Sequence, residues 1–443
     1  MQNITAIMGL FMMLCIAFLL STKRKAVSLR IILWGTGLQF FFAFLILPNS
    51  PFNRLIKHIY KTERAPGEIL FAGINQVIVK LLSFTEEGAR FVFGGLVNMQ
   101  VPVGSIDPAT NQFAQHGAMV ANTGSYFAFN VLPTIIFFSG FMAVLYYLGV
   151  MQKIVLVMAR FMTWTMKTSG AESLSAAANI FVGQTEAPLV VKPYVEKMTF
   201  SELMAVMTGG MATVAGGVMA AYVGMLYRHF PSIAGHLMAA SIMSAPAALV
   251  MAKILVPETE QPKTAGKVEL KVEKQDTNVI DALARGSSEG LFLALNVGAM
   301  LIAFLALIAL LNYIVLKTCG FTVQDIFGWV CAPLAYMMGV PWKDCTTIGI
   351  LLGEKVVLNE FVAYLHLANI LNAKEVILSE RSIVIATYAL CGFANFGSIG
   401  IQLGGIGGIA PSRRGDLAKL GLRSVLGGSF AAFMTAIIAG IFM

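Results

Sequence analysis

Apolar residues recur along the chain in runs of bilayer length and predict a membrane protein made of helices. A helix needs about 20 apolar residues to cross the hydrocarbon core. Apolar runs of that kind lie at 4–21, 28–47, 129–150, 233–255, 282–316 and 425–442. The two-residue alternation of a transmembrane β-strand is not seen in them. Composition agrees, because 57% of the residues are hydrophobic and only 12% are charged. We therefore predict an all-α integral membrane protein.

Two short apolar segments carry charged residues at their centres. The first, "NIFVGQTEAPLVVKPY", holds Gln184, Thr185 and Glu186 just before Pro188, and the second, "GEKVVLNEFVAYL", holds Glu360. Each segment is too short to cross a bilayer twice, and an ionisable residue at membrane depth is costly unless it is used. Irregular backbone at that depth is tolerated only where protein or a water-filled cavity surrounds it. We predict two re-entrant helical hairpins with polar tips.

A glycine-interrupted apolar segment follows each hairpin. "MAVMTGGMATVAGGVMAAYVGM" follows the first hairpin and "IATYALCGFANFGSIGIQLGG" follows the second. Interrupted segments at matching positions in two halves of a chain indicate the substrate site of a transporter. The number of spans predicted between the two copies is odd, so the second copy enters from the opposite side. We predict an inverted repeat within a bundle of about eight transmembrane helices.

The rest of the chain is predicted to be interfacial helices, spans and one polar loop. The segment 68–96 is amphipathic and interrupted by charges, so we expect it to lie at the interface or against other subunits rather than to span. The segment 257–278 lacks a folding core and is predicted to be a solvated loop. In chain order, the predicted units are the first two helices (1–48), an interfacial region on the extracellular side (49–128), the third span with a cytoplasmic interfacial helix (129–168), the first hairpin with its broken helix (169–225), a span (226–256), a cytoplasmic linker (257–278), a long helix with an outer interfacial segment (279–341), the second hairpin with its broken helix (342–410), and a basic loop with the last span (411–443).

The formal net charge of +8 is explained by basic residues in loops beside the spans rather than by a nucleic-acid-binding surface. Lys23, Arg24 and Lys25 directly follow the first span, and Arg413 and Arg414 precede the last one. Basic residues concentrate in cytoplasmic loops. We therefore predict that both termini lie on the outer side of the membrane, which would be the periplasmic side of a bacterial inner membrane, and that nucleic acid is not a partner.

The polar tips have the chemistry of a binding site. Gln184 offers both a donor and an acceptor, which suits the edge of an amide-like heterocycle. Glu360 and Glu186 are strong acceptors for hydroxyl or N–H donors, and free carbonyls at the tips can coordinate a small cation. A purely structural interpretation is also open for four residues: Glu186 paired with Lys192, Glu360 paired with Lys355, Asn395 as a helix cap, and Phe393 as core packing.

The sequence resembles the concentrative nucleoside transporter family in its bacterial form. The resemblance lies in "GQTEAPLVVKPY", "GGMATVAGGVMAAYVG", "GEKVVLNEFVAYL", "LSERS" and "ALCGFANFGSIGIQLGG", which follow the order of the family over about residues 170–410. It implies a homotrimer in membrane lipid, with a scaffold domain and a mobile transport domain built from the hairpins and their partner helices. An elevator-like movement of the transport domain is implied as well.

The resemblance also assigns the site residues. Gln184, Thr185 and Glu186 would contact the nucleobase, Val218 and Phe393 would pack against it, and Glu360, Asn395 and Ser398 would hold the ribose hydroxyls. The sodium site would use side-chain oxygens of Asn179 and Thr213 with main-chain carbonyls of Val182 and Val214. Gly217 departs from the family, because many relatives carry serine there, and this removes a hydroxyl near the predicted base pocket.

These residues predict a secondary active symporter that imports nucleosides with an inward sodium gradient and uses no organic cofactor. Proton coupling is the alternative, because some bacterial relatives use protons and the hairpins carry carboxylates. An intramembrane enzyme using Glu186 and Glu360 as acid and base is physically possible. The sequence lacks HExxH, GxSxG and Asp-rich diphosphate motifs, so we predict that the protein is not an enzyme. A passive channel is disfavoured, because repeated rings of pore-lining carbonyls are not found.

Overall fold

The structure is a computed structural model that describes residues 2–60, 65–98, 100–108, 110, 112–122, 126–266, 276–373 and 377–443. The helices are α1 (Gln2–Leu19), α2 (Leu29–Ile46), α3 (Pro51–Tyr60), α4 (Pro66–Phe93), α5 (Leu132–Tyr147), α6 (Val150–Met166), α7 (Gly170–Ala178), α8 (Ala187–Val190), α9 (Lys192–Val195), α10 (Phe200–Ala212), α11 (Gly216–Leu226), α12 (Ile233–Leu255), α13 (Val279–Cys319), α14 (Val323–Met337), α15 (Trp342–Val357), α16 (Glu360–Ala373), α17 (Glu380–Leu390), α18 (Phe396–Ile409) and α19 (Arg414–Ile441). The helical membrane protein predicted from the sequence is confirmed.

One small sheet was not predicted. Strands β1 (Gln100–Ile106) and β2 (Phe113–Asn122) form an antiparallel pair between α4 and α5, with an irregularity between Pro102 and Gly104. This region carries no strong apolar alternation, so the sequence pattern gave no signal for a hairpin. The pair lies far along the chain from both polar tips and does not change the prediction for the site.

Eight helical segments in the described ranges are long and apolar enough to cross a membrane. They include the predicted spans, and α12 has the predicted bounds. Two differences appear. Helix α4 is one continuous helix of 28 residues and passes this test by length and composition, so its interfacial location stays a prediction. Of the two broken helices, α10 and α11 pass the test together as 27 residues, whereas α17 and α18 do not.

The core lies among α10, α12 and α19, which pack against one another. Almost every side chain of α12 is buried, and α10 is buried on all its faces. A helix that is apolar all round has no face for solvent and fits the interior of a larger bundle. By contrast, α13 is 41 residues long, packs mainly against α5 and leaves most of its apolar side chains exposed.

The two hairpins and the two broken helices are present. Helices α7 and α8–α9 enclose the first non-helical tip, and α15 and α16 enclose the second. The break between α10 and α11 contacts the break between α17 and α18, because the Phe393 N–H donates to the main-chain oxygen of Thr213 at 3.3 Å. Gly392 has a φ of 124°, and a Cβ atom there would lie 2.8 Å from the carbonyl carbon of Ala212. Glycine is therefore required where the breaks meet.

The polar linker is partly docked, which corrects the prediction of a solvated loop. The buried ammonium of Lys253 lies 2.6 Å from Glu172 Oε2 and 3.2 Å from Glu258 Oε2. Thr264 accepts hydrogen bonds from the first two N–H groups of α7. A buried charge and the open N–H groups of a helix start both need polar partners, and this part of the linker supplies them. Residues 267–275 of the predicted linker lie outside the described residues.

Candidate functional site

Glu360 is the centre of a buried hydrogen-bond network at the tip of the second hairpin. It is the first residue of α16 and is only 4% exposed. Its Oε1 atom accepts from the Tyr222 hydroxyl of α11 at 3.2 Å, and its Oε2 atom accepts from Asn395 Nδ2 at 2.9 Å. A buried carboxylate is stable only when such donors replace water. Both broken helices therefore contribute to holding this carboxylate.

Asn395 has two functions in the fold. It is the N-cap of α18, and its Oδ1 atom accepts from the Ser398 N–H at 2.9 Å while its Nδ2 atom donates to Glu360. Asparagine is among the preferred N-cap residues because its side chain accepts from an open helix N–H group. The interpretation as a cap is correct, and the cap is also part of the polar network.

Gln184 joins the first hairpin to this network. Its Nε2 atom donates to Ser398 Oγ at 3.1 Å, and its Oε1 atom accepts from Gln402 Nε2 at 3.1 Å. An unbroken series of contacts therefore runs from Glu360 through Asn395 and Ser398 to Gln184. The tips of both hairpins meet through α18.

The predicted apolar and hydroxyl contacts lie beside this series. Thr185 packs against α18, since a Cβ atom at Gly405 would lie 2.9 Å from Thr185 Cγ2. Val218 is buried on α11 one turn before Tyr222, and the side chain of Phe393 is half-buried at the opposite break. Residues four apart share one helix face, so Val218 lies on the face that contacts Glu360 through Tyr222.

Glu186 is not part of the network. Its Oε2 atom accepts from the Gly183 N–H within the same turn, and its side chain is exposed. Lys192 is exposed as well, and the described residues contain no ion pair between it and Glu186. The pairing that the sequence left open is therefore not formed.

Lys355 does not pair directly with Glu360 either. Its Nζ atom donates to the main-chain oxygen of Ala389 at 2.7 Å, and its side chain is wholly buried. Ala389 lies in the last turn of α17, where carbonyl groups lack intrahelical partners and the helix dipole is negative. The lysine therefore stabilises the end of α17 next to the break.

The predicted sodium ligands lie where the first hairpin meets the break after α10. Asn179 and Thr213 both contact Gly209: the Thr213 hydroxyl donates to its carbonyl at 2.8 Å, and a Cβ atom there would lie 3.2 Å from Asn179 Nδ2. Asn179 is wholly buried, yet its Oδ1 atom has no hydrogen-bond partner among the described residues. Val182 and Val214 lie in the adjoining non-helical backbone. A buried oxygen without a donor fits a hard cation such as Na⁺.

Two residues of the site were not predicted. Tyr222 contacts Glu360, and Gln402 contacts Gln184. Each lies four residues after a predicted site residue, Val218 and Ser398 respectively, so each shares its helix face. Extending the predicted set by one helical turn would have found both.

Sequence profiles of known families cover most of the chain. The profile described as the N-terminus of the Na⁺ dependent nucleoside transporter matches residues 8–96, and the profile described as its C-terminus matches residues 236–440. The profile of the gate domain, described as nucleoside recognition, matches residues 128–228. These matches include both hairpins and both broken helices.

Relatives match along the whole chain. An uncharacterized transporter of Haemophilus influenzae is 44% identical over 451 residues, which cover 100% of this chain and 98% of that protein. Solute carrier family 28 member 3 of Mus musculus is 40% identical over 459 residues, which cover 99% of this chain and 59% of that protein. The chain therefore spans less than two thirds of the length of this mammalian relative.

Solved structures of a similar protein have the same fold. CNTnw in an inward-facing substrate-bound state has a TM-score of 0.85 at 42% identity, and the match covers 100% of this chain and 98% of CNTnw. A CNTnw variant in an intermediate state has a TM-score of 0.87 at 41% identity, covering 100% and 99%. Profiles, relatives and fold agree with the motifs at the two hairpin tips. The chain belongs to the family of concentrative, Na⁺-dependent nucleoside transporters, which are not enzymes and whose coupling ion is Na⁺.

Proposed function

We propose that this protein is a secondary active symporter that imports nucleosides, coupled to an inward Na⁺ gradient. The observation that carries the proposal is the series of hydrogen bonds from Glu360 through Asn395 and Ser398 to Gln184. It joins the tips of two hairpins from opposite halves of the chain. A ligand bound there contacts both halves at once, as alternating access about a fixed site requires.

In this proposal, different residues of the two hairpins and the two broken helices contact the base and the ribose. Gln184, Thr185 and Glu186 contact the base, and Val218 and Phe393 pack against its faces. Glu360, Asn395 and Ser398 hold the ribose, because a ribose hydroxyl can donate to the carboxylate and accept from a neighbouring donor. Glu186 accepts from the Gly183 N–H and is exposed, so in this proposal its side chain turns from Gly183 toward the ligand.

The Na⁺ ion is held by the oxygens of Asn179 and Thr213 and by the main-chain oxygens of Val182 and Val214. All four are neutral and hard, which suits a monovalent cation. The positive charge of the ion attracts the partial negative charges of these oxygens and so fixes the turn that follows α7. Because Gln184 lies on that turn, binding of the ion orders the base-contacting residues.

The proposed organisation follows from the same division. Residues 169–225 and 342–410 form the transport domain, which moves in an elevator-like way against a scaffold, and three copies assemble as a homotrimer in the lipid bilayer. The basic clusters after the first span and before the last one support cytoplasmic loops at both places and periplasmic termini in a bacterial inner membrane.

Uptake of radiolabelled uridine into proteoliposomes tests the proposal. We expect uridine to accumulate above the external concentration with an inward Na⁺ gradient and not when choline replaces Na⁺. Accumulation driven by a proton gradient alone would move the coupling to a carboxylate and overturn the sodium site. Recovery of chemically altered uridine would indicate an enzyme, and no uptake of uridine or adenosine would overturn the substrate class.

A further inference from the structure

Gln402 is a wholly buried glutamine on α18 that holds the predicted base-contacting residue. Its Nε2 atom donates to Gln184 Oε1 at 3.1 Å and to the main-chain oxygen of Met207 at 3.0 Å. Ser398, one turn earlier on α18, accepts from Gln184 Nε2 at 3.1 Å. Helix α18 therefore contacts both ends of the Gln184 amide group.

The main-chain carbonyl of Met207 fixes the direction of these hydrogen bonds. A carbonyl oxygen only accepts, so the NH₂ end of Gln402 has to face it. The other hydrogen of this NH₂ group goes to Gln184, which must present its oxygen to Gln402 and its own NH₂ group to Ser398. Ser398 accepts one hydrogen of the Gln184 NH₂ group, and the second hydrogen of this group is left for the base. Gln184 therefore presents a donor on the base side of the site.

The surrounding packing is adapted to this pair of glutamines. A Cβ atom at Gly210 of α10 would lie 2.8 Å from Gln184 Cβ and 2.8 Å from Gln402 Nε2, so a larger residue would separate them. The Oε1 atom of Gln402 is buried and has no partner within the described part of the chain. An unsatisfied buried oxygen is costly. Packing alone therefore does not explain why an amide stands at position 402. The two hydrogen bonds that its NH₂ group donates do explain it.

We propose that Gln402 is a positioning residue that holds the Gln184 NH₂ group toward the nucleoside. The site then favours bases that carry a carbonyl oxygen at the edge facing Gln184 over bases that carry an amino group there. This inference rests on the proposed function, in which Gln184 contacts the base. Uridine and cytidine form one matched pair that differs in this group, and inosine and adenosine form another.

Two substitutions separate positioning from packing. Gln402→Met removes both donated hydrogen bonds at similar volume and frees the Gln184 amide to rotate. Gln402→Glu replaces the donor by an acceptor, which draws the Gln184 NH₂ group away from the ligand. We expect the ratio of Vmax/KM for uridine over cytidine to fall about tenfold in Gln402→Met, the value of roughly one hydrogen bond, and further in Gln402→Glu. The ratio for inosine over adenosine should fall in parallel.

The matched control is Gln39→Met. Gln39 is also wholly buried and donates to a main-chain carbonyl, that of Gly35 at 3.3 Å, but it lies on α2. Its substitution should leave both ratios unchanged. An equal loss of uptake for all four nucleosides in Gln402→Met would overturn the inference, because a packing defect does not distinguish bases. If Gln402→Glu fails to fold, Gln402→Met decides alone. A wild-type protein that takes up none of the four nucleosides would instead overturn the proposed function.

Discussion

Glu360 shows at the scale of one residue how the partners of a buried carboxylate determine what else it can bind. The side chain is buried, accepts from Tyr222 and Asn395, and has no direct ion pair with Lys355 among the described residues. Each carboxylate oxygen accepts from one neutral donor and keeps a further lone pair with which it can accept from a ligand. A direct ion pair would have engaged them instead. The network therefore favours a binding role over a purely structural one.

Glu360→Gln should weaken nucleoside binding without preventing assembly of the protein. The change keeps the shape but replaces one acceptor oxygen by a donor and removes the charge. We expect KM for uridine to rise about 10- to 100-fold, since hydrogen bonds to a charged group contribute about 1.5–3 kcal/mol. Uptake kinetics in proteoliposomes measure this.

The control for this change is Glu380→Gln, which makes the same substitution at an exposed carboxylate in the first turn of α17. It should leave KM for uridine unaltered. An unchanged KM in Glu360→Gln would remove Glu360 from the ribose site.

Thr213→Val should weaken sodium binding, because it keeps the branched shape and removes the hydroxyl predicted to coordinate the ion. If this ligand contributes about as much free energy as one hydrogen bond, its loss should raise the Na⁺ concentration for half-maximal uptake about tenfold. The measurement is uridine uptake as a function of the external Na⁺ concentration.

Thr208→Val is the matched control, since Thr208 is a buried threonine on α10, just before the break that holds Thr213, and its hydroxyl has no partner among the described residues. If both valine variants have the Na⁺ dependence of the wild type, the Thr213 hydroxyl is not a ligand.

At the scale of elements, helix starts link local folding to the site. The side chains of Asn395 and Ser379 cap α18 and α17 in the same way. Asn395 accepts a hydrogen bond from the Ser398 N–H, and Ser379 accepts one from the Ser382 N–H. Only Asn395 also donates to Glu360. Substitutions at the two caps can therefore distinguish an effect on helix stability from an effect on ligand binding.

Asn395→Ala and Ser379→Ala should each lower the free energy of unfolding by about 0.5–2 kcal/mol, the usual contribution of an N-cap. Only Asn395→Ala should also raise KM for uridine, because it removes the donor that orients Glu360. Thermal unfolding in detergent and uptake kinetics measure the two effects. Equal KM values in the two variants would restrict Asn395 to its capping role.

At the scale of the whole molecule, the first hairpin connects the two predicted ligand sites. Asn179 and Gln184 lie on the same non-helical stretch between α7 and α8. Ordering of this stretch by one ligand lowers the entropic cost of binding the other. Na⁺ and the nucleoside should therefore bind cooperatively.

We expect saturating Na⁺ to lower the dissociation constant for uridine by about 5- to 150-fold, and uridine to lower that for Na⁺ by the same factor. Calorimetric titration of each ligand with and without the other measures this factor, with choline in place of Na⁺ as the control. Independent binding, with a factor of one, would contradict a shared hairpin.

The local sequence determined the membrane class, both hairpins, both helix breaks and most of the polar site. These features depend on short-range physics: charge in an apolar run, glycine where a helix is interrupted, and capping residues such as Asn395. The motifs there also identified the family. The pattern failed for the linker, because Thr264 accepts from the N–H of Ala171, which lies 93 residues earlier in the sequence.

Only the tertiary structure decided which polar groups meet. Gln184 and Gln402 are 218 residues apart, and Tyr222 and Glu360 are 138 residues apart. No periodicity along the chain records such a pair, because a side-chain hydrogen bond depends on the packing of whole helices. The direction of the Gln184 amide depends in turn on the Met207 carbonyl of a third segment. The sequence therefore determined which residues are polar within the membrane, and the packing of the two halves determined what each of them can bind.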